Sequence, residues 1–328
     1  MDFSISDDQQ QILDSIGSML AQEAAYDRLF PHDFDEAADE ARLIAFSAEM
    51  GLIGFGVPAT AGGSGAALDD TLLVQREAGR YILPLSVPLA AAAALVAMDA
   101  GNEALAHALV AGTEQVAIGF GDDADGTRSL MGRGDIVLAP AQGRLQLLRL
   151  SGPAPEHPGL DPATPVRRTS ALTLEADTLS AATLAQFELL LSAYRLGLAE
   201  AALQQSLAFA REREQFGKPI GSFQVVRHRC VDMAVRCEAA RSVLFFAAIC
   251  LRDGRPGWEL QTASARWLTD KAAVENAKVN IVNHGAIGVT CENIGHRLLK
   301  RAMLCSTIGP SHAETAACIV AAGSSLLC

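Results

Sequence analysis

The apolar residues of the last third fall on one spacing. Leu184, Phe187, Leu191, Tyr194, Leu198 and Ala201 follow one another by three and four positions. So do Val226, Cys230, Met233, Cys237, Ala240, Leu244, Ala247 and Leu251. Only a helix keeps such a series on one stripe, because a strand returns its side chains to a face every second residue. Stripes of this length need other helices to cover them, so residues 180–328 are expected to form a four-helix bundle. The first helix should end near Glu214, the Gly217-Lys218-Pro219 break should separate it from the second, and a third should run from Trp258 to about Asn283.

Upstream the pattern changes twice. Residues 113–179 hold short runs such as Val116–Phe120, Ile136–Leu138 and Leu145–Leu150, divided by Gly, Asp and Pro. Such runs read as strands, and this length suits a small sheet of roughly four to six. Residues 1–112 read as helical. Ser6 to Gln9 forms a capping-box pattern, Ile12, Ile16 and Leu20 follow by fours, and Gly51 ends a helix carrying Leu43, Phe46 and Met50. A glycine-rich loop spans Pro58–Gly65, Leu68–Tyr81 is helical again, and Pro84 and Pro88 are expected to interrupt it before an alanine-rich segment. The fold class is therefore mostly α with a small central β domain.

Composition narrows the partners. With 26 Lys+Arg against 38 Asp+Glu and a net charge of −12, the chain has no basic block to neutralise a nucleic-acid backbone. The apolar run Leu89–Met98 is ten residues, against the ~20 a membrane helix needs. The first ten residues are acidic and polar where a secretory signal would be basic and then apolar, so a cytoplasmic chain is expected. Cys230, Cys237, Cys250, Cys291, Cys305, Cys318 and Cys328 show no C-x-x-C or zinc-finger spacing, and read as small buried thiols in a reducing compartment. His32, His107, His157, His228, His284, His296 and His312 show no metal-ligand spacing either, so no metal site is expected. His228, between Arg227 and Arg229, reads as solvated.

Dinucleotide, P-loop, zinc-protease and serine-hydrolase patterns are all missing. The segment Arg211–Gln224 stands apart. As punctuation it is a charged helix end, a Gly/Pro turn and a helix start. That does not explain Arg213-Glu214-Gln215-Phe216-Gly217-Lys218-Pro219-Ile220 followed by Phe223-Gln224. The run resembles the R-x-Q-F-G-x-P-I-x-x-F-Q signature of acyl-CoA dehydrogenases. Glu49–Pro58 with Gly62-Gly63-Ser64-Gly65 resembles the family's E-x-G-L-x-G-x-x-V-P…GG-x-G. His284-Gly285-Ala286-Ile287-Gly288-Val289-Thr290 resembles its H-G-G-x-G-[YF]-T, with alanine in place of the second glycine.

The resemblance implies an N-terminal helical domain (1–112), a middle β domain (113–179) and a C-terminal four-helix bundle (180–328). It also implies FAD-dependent α,β-dehydrogenation of an acyl-CoA thioester to the 2,3-enoyl-CoA. Partners would be the acyl-CoA, an electron-transfer flavoprotein or similar acceptor, and further subunits. Arg213, Gln215, Phe216 and Gln224 match positions that reach across to the adenine diphosphate half of FAD held mainly by a neighbouring subunit. His284, Gly285, Ala286 and Gly288 match a backbone segment close to the same cofactor. A guanidinium suits pyrophosphate oxygens and an aromatic face suits adenine.

The departures matter as much. Counting on from His284, the family's usual catalytic glutamate position falls on Gly309, and the position used by some other members falls on Phe187. Glu188 is adjacent to the second, but one residue turns about 100° around a helix axis, so it reads as a solvent-facing or interhelical carboxylate. The family's flavin-holding T-E-x-x-x-G-S-D loop and W-[IV]-[ST] strand have no match in the middle segment. This combination resembles the small, base-lacking subunit of two-gene α2β2 acyl-CoA dehydrogenases of steroid side-chain degradation. Two alternatives stay open. One is a self-sufficient homo-oligomer using a base such as Glu188, and the other a non-enzymatic homologue that binds acyl-CoA or a partner.

Overall fold

The computed structural model describes residues 5–30, 33–121, 126–141 and 143–324. His32 and Cys328 lie outside them. Helices come first, as the spacing requires: α1 (Asp7–Glu23), α2 (Glu36–Glu49), α3 (Leu68–Arg80), α4 (Ser86–Asp99) and α5 (Glu103–Val110). The Ser6/Gln9 capping box forms, and Leu13, Ile16 and Leu20 are the buried face of α1. Pro88 does not interrupt a helix. It sits in the first turn of α4, where its missing N–H would have had no intrahelical partner.

Six strands follow: β1 (Val116–Phe120), β2 (Arg128–Met131), β3 (Ile136–Ala141), β4 (Arg144–Leu150), β5 (Val166–Thr169) and β6 (Leu172–Thr178). They form one mixed sheet in the order β5-β2-β1-β3-β4-β6, with only β1 and β3 parallel. Ala-rich α4 is buried almost all round, which is how a helix with no polar face behaves when it packs on a sheet.

The rest is helical: α6 (Ala181–Glu212), a two-strand hairpin of β7 (Glu214–Gln215) and β8 (Lys218–Pro219), then α7 (Gln224–Arg252), α8 (Trp258–His284), α9 (Gly295–Ser306) and α10 (His312–Ser324). By contacts the chain forms two compact units. One comprises the described residues of Met1–Phe34, Arg76–Ile82 and Ser192–Cys328; the other comprises those of Asp35–Gln75 and Leu83–Leu191.

Within the first unit the seam of α7 is buried at Cys230, Met233, Cys237, Ala240, Leu244 and Ala247, and half-buried at its ends, Val226 and Leu251. The facing helix α8 carries a buried asparagine ladder. Asn276 donates to the carbonyls of Met233 (3.1 Å) and Ala199 (3.3 Å), Asn280 accepts from Ser206 Oγ (2.9 Å), and Asn283 lies 3.8 Å from Cys230 Sγ. The end of α3 crosses α6 at two glycines so closely that a Cβ on Gly79 would stand 2.0 Å from the Tyr194 carbonyl, and one on Gly197 2.0 Å from that of Arg76. Beside this crossing Glu200 pairs with Arg241 (2.6 Å) and Arg76 (3.6 Å).

Four of the cysteines, Cys230, Cys237, Cys250 and Cys305, are buried as expected, whereas Cys291 and Cys318 are exposed. Burial pushes the Cys237 thiol up to about 12. No helix of the described residues is long and apolar enough to cross a membrane, and no cluster of metal-ligating side chains occurs among them.

Candidate functional site

The signature segment folds into a tight hairpin between α6 and α7. β7 and β8 pair Glu214 with Pro219 and Gln215 with Lys218, leaving Phe216 and Gly217 as a two-residue loop. Both loop residues have positive φ, +52° and +74°. This is the geometry of the hairpin turn that matches strand twist, and it normally takes Asn, Asp or Gly at its first position. A phenylalanine there costs roughly 1–2 kcal/mol. The ring gains nothing from burial, because Phe216 is 93% exposed. Arg213, Gln215 and Gln224 are exposed around it.

The hairpin is nevertheless tied down. Ile220 N–H donates to the Arg213 carbonyl (2.8 Å) and Arg213 N–H to that of Phe209 (2.9 Å). Gly221 lets the following turn approach α6 so closely that a Cβ would lie 2.9 Å from the Ala210 carbonyl. Phe216 meets Phe223 edge to face at 6.1 Å, and Lys218 Nζ sits 4.6 Å from the Phe223 ring centroid.

The second signature loop comes to the same end of the bundle. His284, the last residue of α8, is buried and stacks on Phe209 of α6 with centroids 4.2 Å apart. Its Nδ1 bonds the Asn280 carbonyl at 2.8 Å. Gly285 takes φ +65°, Ala286 is exposed, and Gly288 is buried where a Cβ would meet the Ile281 carbonyl at 2.8 Å. Phe209 thus joins two segments far apart in sequence. It lies outside every motif, and an apolar spacing continuing down α6 is the only signal that could have found it.

The Gly309 turn is built differently. Gly309 has φ +87°. Arg195 from α6, fully buried, donates to the carbonyls of Cys305 (2.5 Å) and Ile308 (3.2 Å), while Arg266 from α8 donates to those of Ile308 (2.9 Å) and Pro310. Asp270, 1% exposed, lies 3.4 Å from Arg195 Nε and accepts from His312 Nε2 at the start of α10. Ser311 and Glu314 cap that helix reciprocally, and the Ser311 hydroxyl, with the Ser311 backbone N–H after it, donates to the Glu314 carboxylate and holds it below its ordinary value. None of this network was visible in the sequence, because buried charges carry no spacing signal.

Phe187 is buried. Glu188 is not solvent-facing: it is buried at 7% exposure on α6. The N-terminal glycine motif is structural in this fold, since a Cβ on Gly63 would lie 2.0 Å from the Val57 carbonyl.

Comparison with known proteins agrees in both halves. Residues 6–113 match the family model "Acyl-CoA dehydrogenase, N-terminal domain" and residues 178–323 match "Acyl-CoA dehydrogenase, C-terminal domain". Acyl-CoA dehydrogenase IpdE2 of Mycobacterium tuberculosis is 29% identical over 309 residues, 90% of this chain and 91% of that protein. Acyl-CoA dehydrogenase FadE34 of the same organism is 33% identical over 301 residues, 83% of this chain, which spans 41% of FadE34's length. The ChsE4–ChsE5 complex from Mycobacterium tuberculosis shares the fold, with a TM-score of 0.78 at 20% identity, over 100% of this chain and 99% of that one. With both family models matched in order along the chain, this chain belongs to the acyl-CoA dehydrogenase family.

Proposed function

We propose that the chain is a subunit of a flavin-dependent acyl-CoA dehydrogenase, completing an FAD site held mainly by a homologous subunit that supplies the catalytic carboxylate. The observation that carries this reading is the Phe216 hairpin: an aromatic ring held in a costly backbone conformation with 93% of its surface free. The edge-to-face contact with Phe223 offsets part of that cost and leaves most of the ring free for a ligand. On the same paired helices Val225, Val231 and Val235 of α7 and Val282 of α8 are exposed, and another subunit would cover them.

The donor set suits the adenine diphosphate half of FAD. The Arg213 guanidinium can pair with pyrophosphate oxygens, the Phe216 face can lie on adenine or ribose, and the Gln215 and Gln224 amides offer hydrogen bonds. The His284–Gly288 loop lines the same end of the bundle. Bound FAD would supply the hydride acceptor for oxidising an acyl-CoA thioester to its 2,3-enoyl form. This chain would contribute binding and orientation rather than proton transfer, since Gly309 and Phe187 hold no base. An electron-transfer flavoprotein or similar acceptor would take the electrons onward. The complex named for the neighbour ChsE4–ChsE5 supports a two-chain assembly. The same reading takes domain boundaries at 112/113 and 179/180, supported by family models whose matches end at residue 113 and begin at residue 178.

A self-sufficient oligomer is the second reading. One observation favours it: Glu188, next to the alternative base position at Phe187, is a carboxylate buried at 7% exposure. Turnover by the isolated chain that Glu188→Gln abolishes would establish it. The leading reading is tested by titrating FAD into the co-purified apo-complex. Loss of a charge-assisted bidentate contact in Arg213→Ala costs about 1.5–3 kcal/mol, or roughly ten- to a hundredfold in affinity. An unchanged dissociation constant would refute it.

A further inference from the structure

The hairpin reaches outward, yet the contacts that shape it come from beneath. Phe223 is the residue before α7, with extended backbone (φ −81°, ψ 133°), so its ring is anchored to the start of a 29-residue helix. Two side chains of the hairpin converge on that ring: Phe216 edge to face at 6.1 Å and Lys218 Nζ at 4.6 Å. One comes from the loop tip and the other from the returning strand, so a single ring meets both the loop and β8. With two residues in each strand, β7 and β8 are too short to be stable by their own pairing.

We propose that Phe223 and Lys218 are positioning residues, which hold the Phe216–Arg213 arm in its binding conformation before the cofactor arrives. The inference rests on the reading that this arm meets FAD. Its physical content is preorganisation: an arm ordered in the free protein loses less conformational freedom on binding. Without the Phe223 ring, Phe216 loses the contact that offsets its left-handed backbone, and the two-residue loop relaxes.

Two measurements on the purified oligomer, co-purified with its homologous subunit where one is required, test this. Amide hydrogen exchange over residues 213–219 in the FAD-free protein reports hairpin order, and FAD titration reports affinity. Phe223→Leu should speed hairpin exchange and weaken FAD binding by about three- to tenfold, the value of an aromatic pair. Lys218→Met should do the same more weakly, and Phe223→Tyr, which keeps the ring, should restore both readouts. Unchanged exchange in Phe223→Leu would overturn the proposal. So would faster exchange with unchanged FAD affinity while Arg213→Ala still weakens binding, which would leave the cofactor reading intact. If neither Arg213→Ala nor Phe223→Leu alters FAD affinity, the cofactor reading falls and the positioning role falls with it.

Discussion

Replacing Asp270 by alanine strikes a deeply buried charge pair of the bundle. Asp270 is 1% exposed and Arg195 fully buried, so Asp270→Ala takes a carboxylate away from a guanidinium held inside the protein. Breaking such a pair from one side typically costs about 3–5 kcal/mol. Arg195 keeps its bonds to the Cys305 and Ile308 carbonyls, which places the expected loss near the lower end, about 3 kcal/mol. At about 2–4 °C per kcal/mol, the midpoint of thermal unfolding should drop by roughly 6–12 °C. Arg195→Met removes the other partner, and because the two residues share one interaction, the double variant should lose about 1–3 kcal/mol less than the sum of the singles. Circular dichroism against temperature and urea for the four proteins completes the cycle. A loss below about 1 kcal/mol in Asp270→Ala, or additivity within about 0.5 kcal/mol, would show that the pair does not hold the Gly309 turn as argued.

Gly197→Ala should destabilise by about 1–3 kcal/mol, because the new methyl meets backbone rather than a movable side chain; a thermal midpoint within 1 °C of the parent's, on that ~1–3 kcal/mol scale, would contradict the close crossing of α3 and α6. Phe216→Gly relieves a left-handed phenylalanine, so thermal stability should hold or rise while FAD retention in the purified complex falls. A parallel loss of both would mean that the ring supports the fold. In native protein a thiol reagent followed by peptide mapping should label Cys291 and Cys318 first, and Cys237, its thiol pushed up to about 12 by burial, only on unfolding. Rapid native labelling of Cys237 would show that the α7–α8 seam opens.

Much of the architecture was legible because packing imposes period. The α7 stripe from Cys230 to Ala247 is buried as its spacing demanded, and the short runs of the middle became six strands. Pro88 misled because proline has two meanings, breaker within a helix and neutral in its first turn. For Glu188 the sequence left two settings, solvent-facing or interhelical, and burial removes the first; a charged residue adjoining an apolar position carries no signal that decides between them. At the signature, residue chemistry alone gave a turn, and only the family resemblance gave it a role. The hairpin geometry could not be read, since a phenylalanine at its first loop position contradicts ordinary turn preferences. The Arg195–Asp270–His312 network joins residues from three helices whose meeting depends on tertiary structure.

The asparagine ladder on α8 separates two properties that usually change together. Asn276 fits only where the carbonyls of Met233 and Ala199 present themselves at once, and Asn280 only beside Ser206. A shift of α8 by one turn would take the Asn276 amide from both carbonyls and the Asn280 oxygen from the Ser206 hydroxyl, at about 1–3 kcal/mol for each group left without its bond. The helices are therefore keyed from within, and their relative placement does not depend on the outward-facing valines of α7 and α8. That outer surface is free to diverge without dislocating the scaffold. A duplicated copy of such a chain can change the companion it selects, one surface residue at a time, while still holding its signature loops in place.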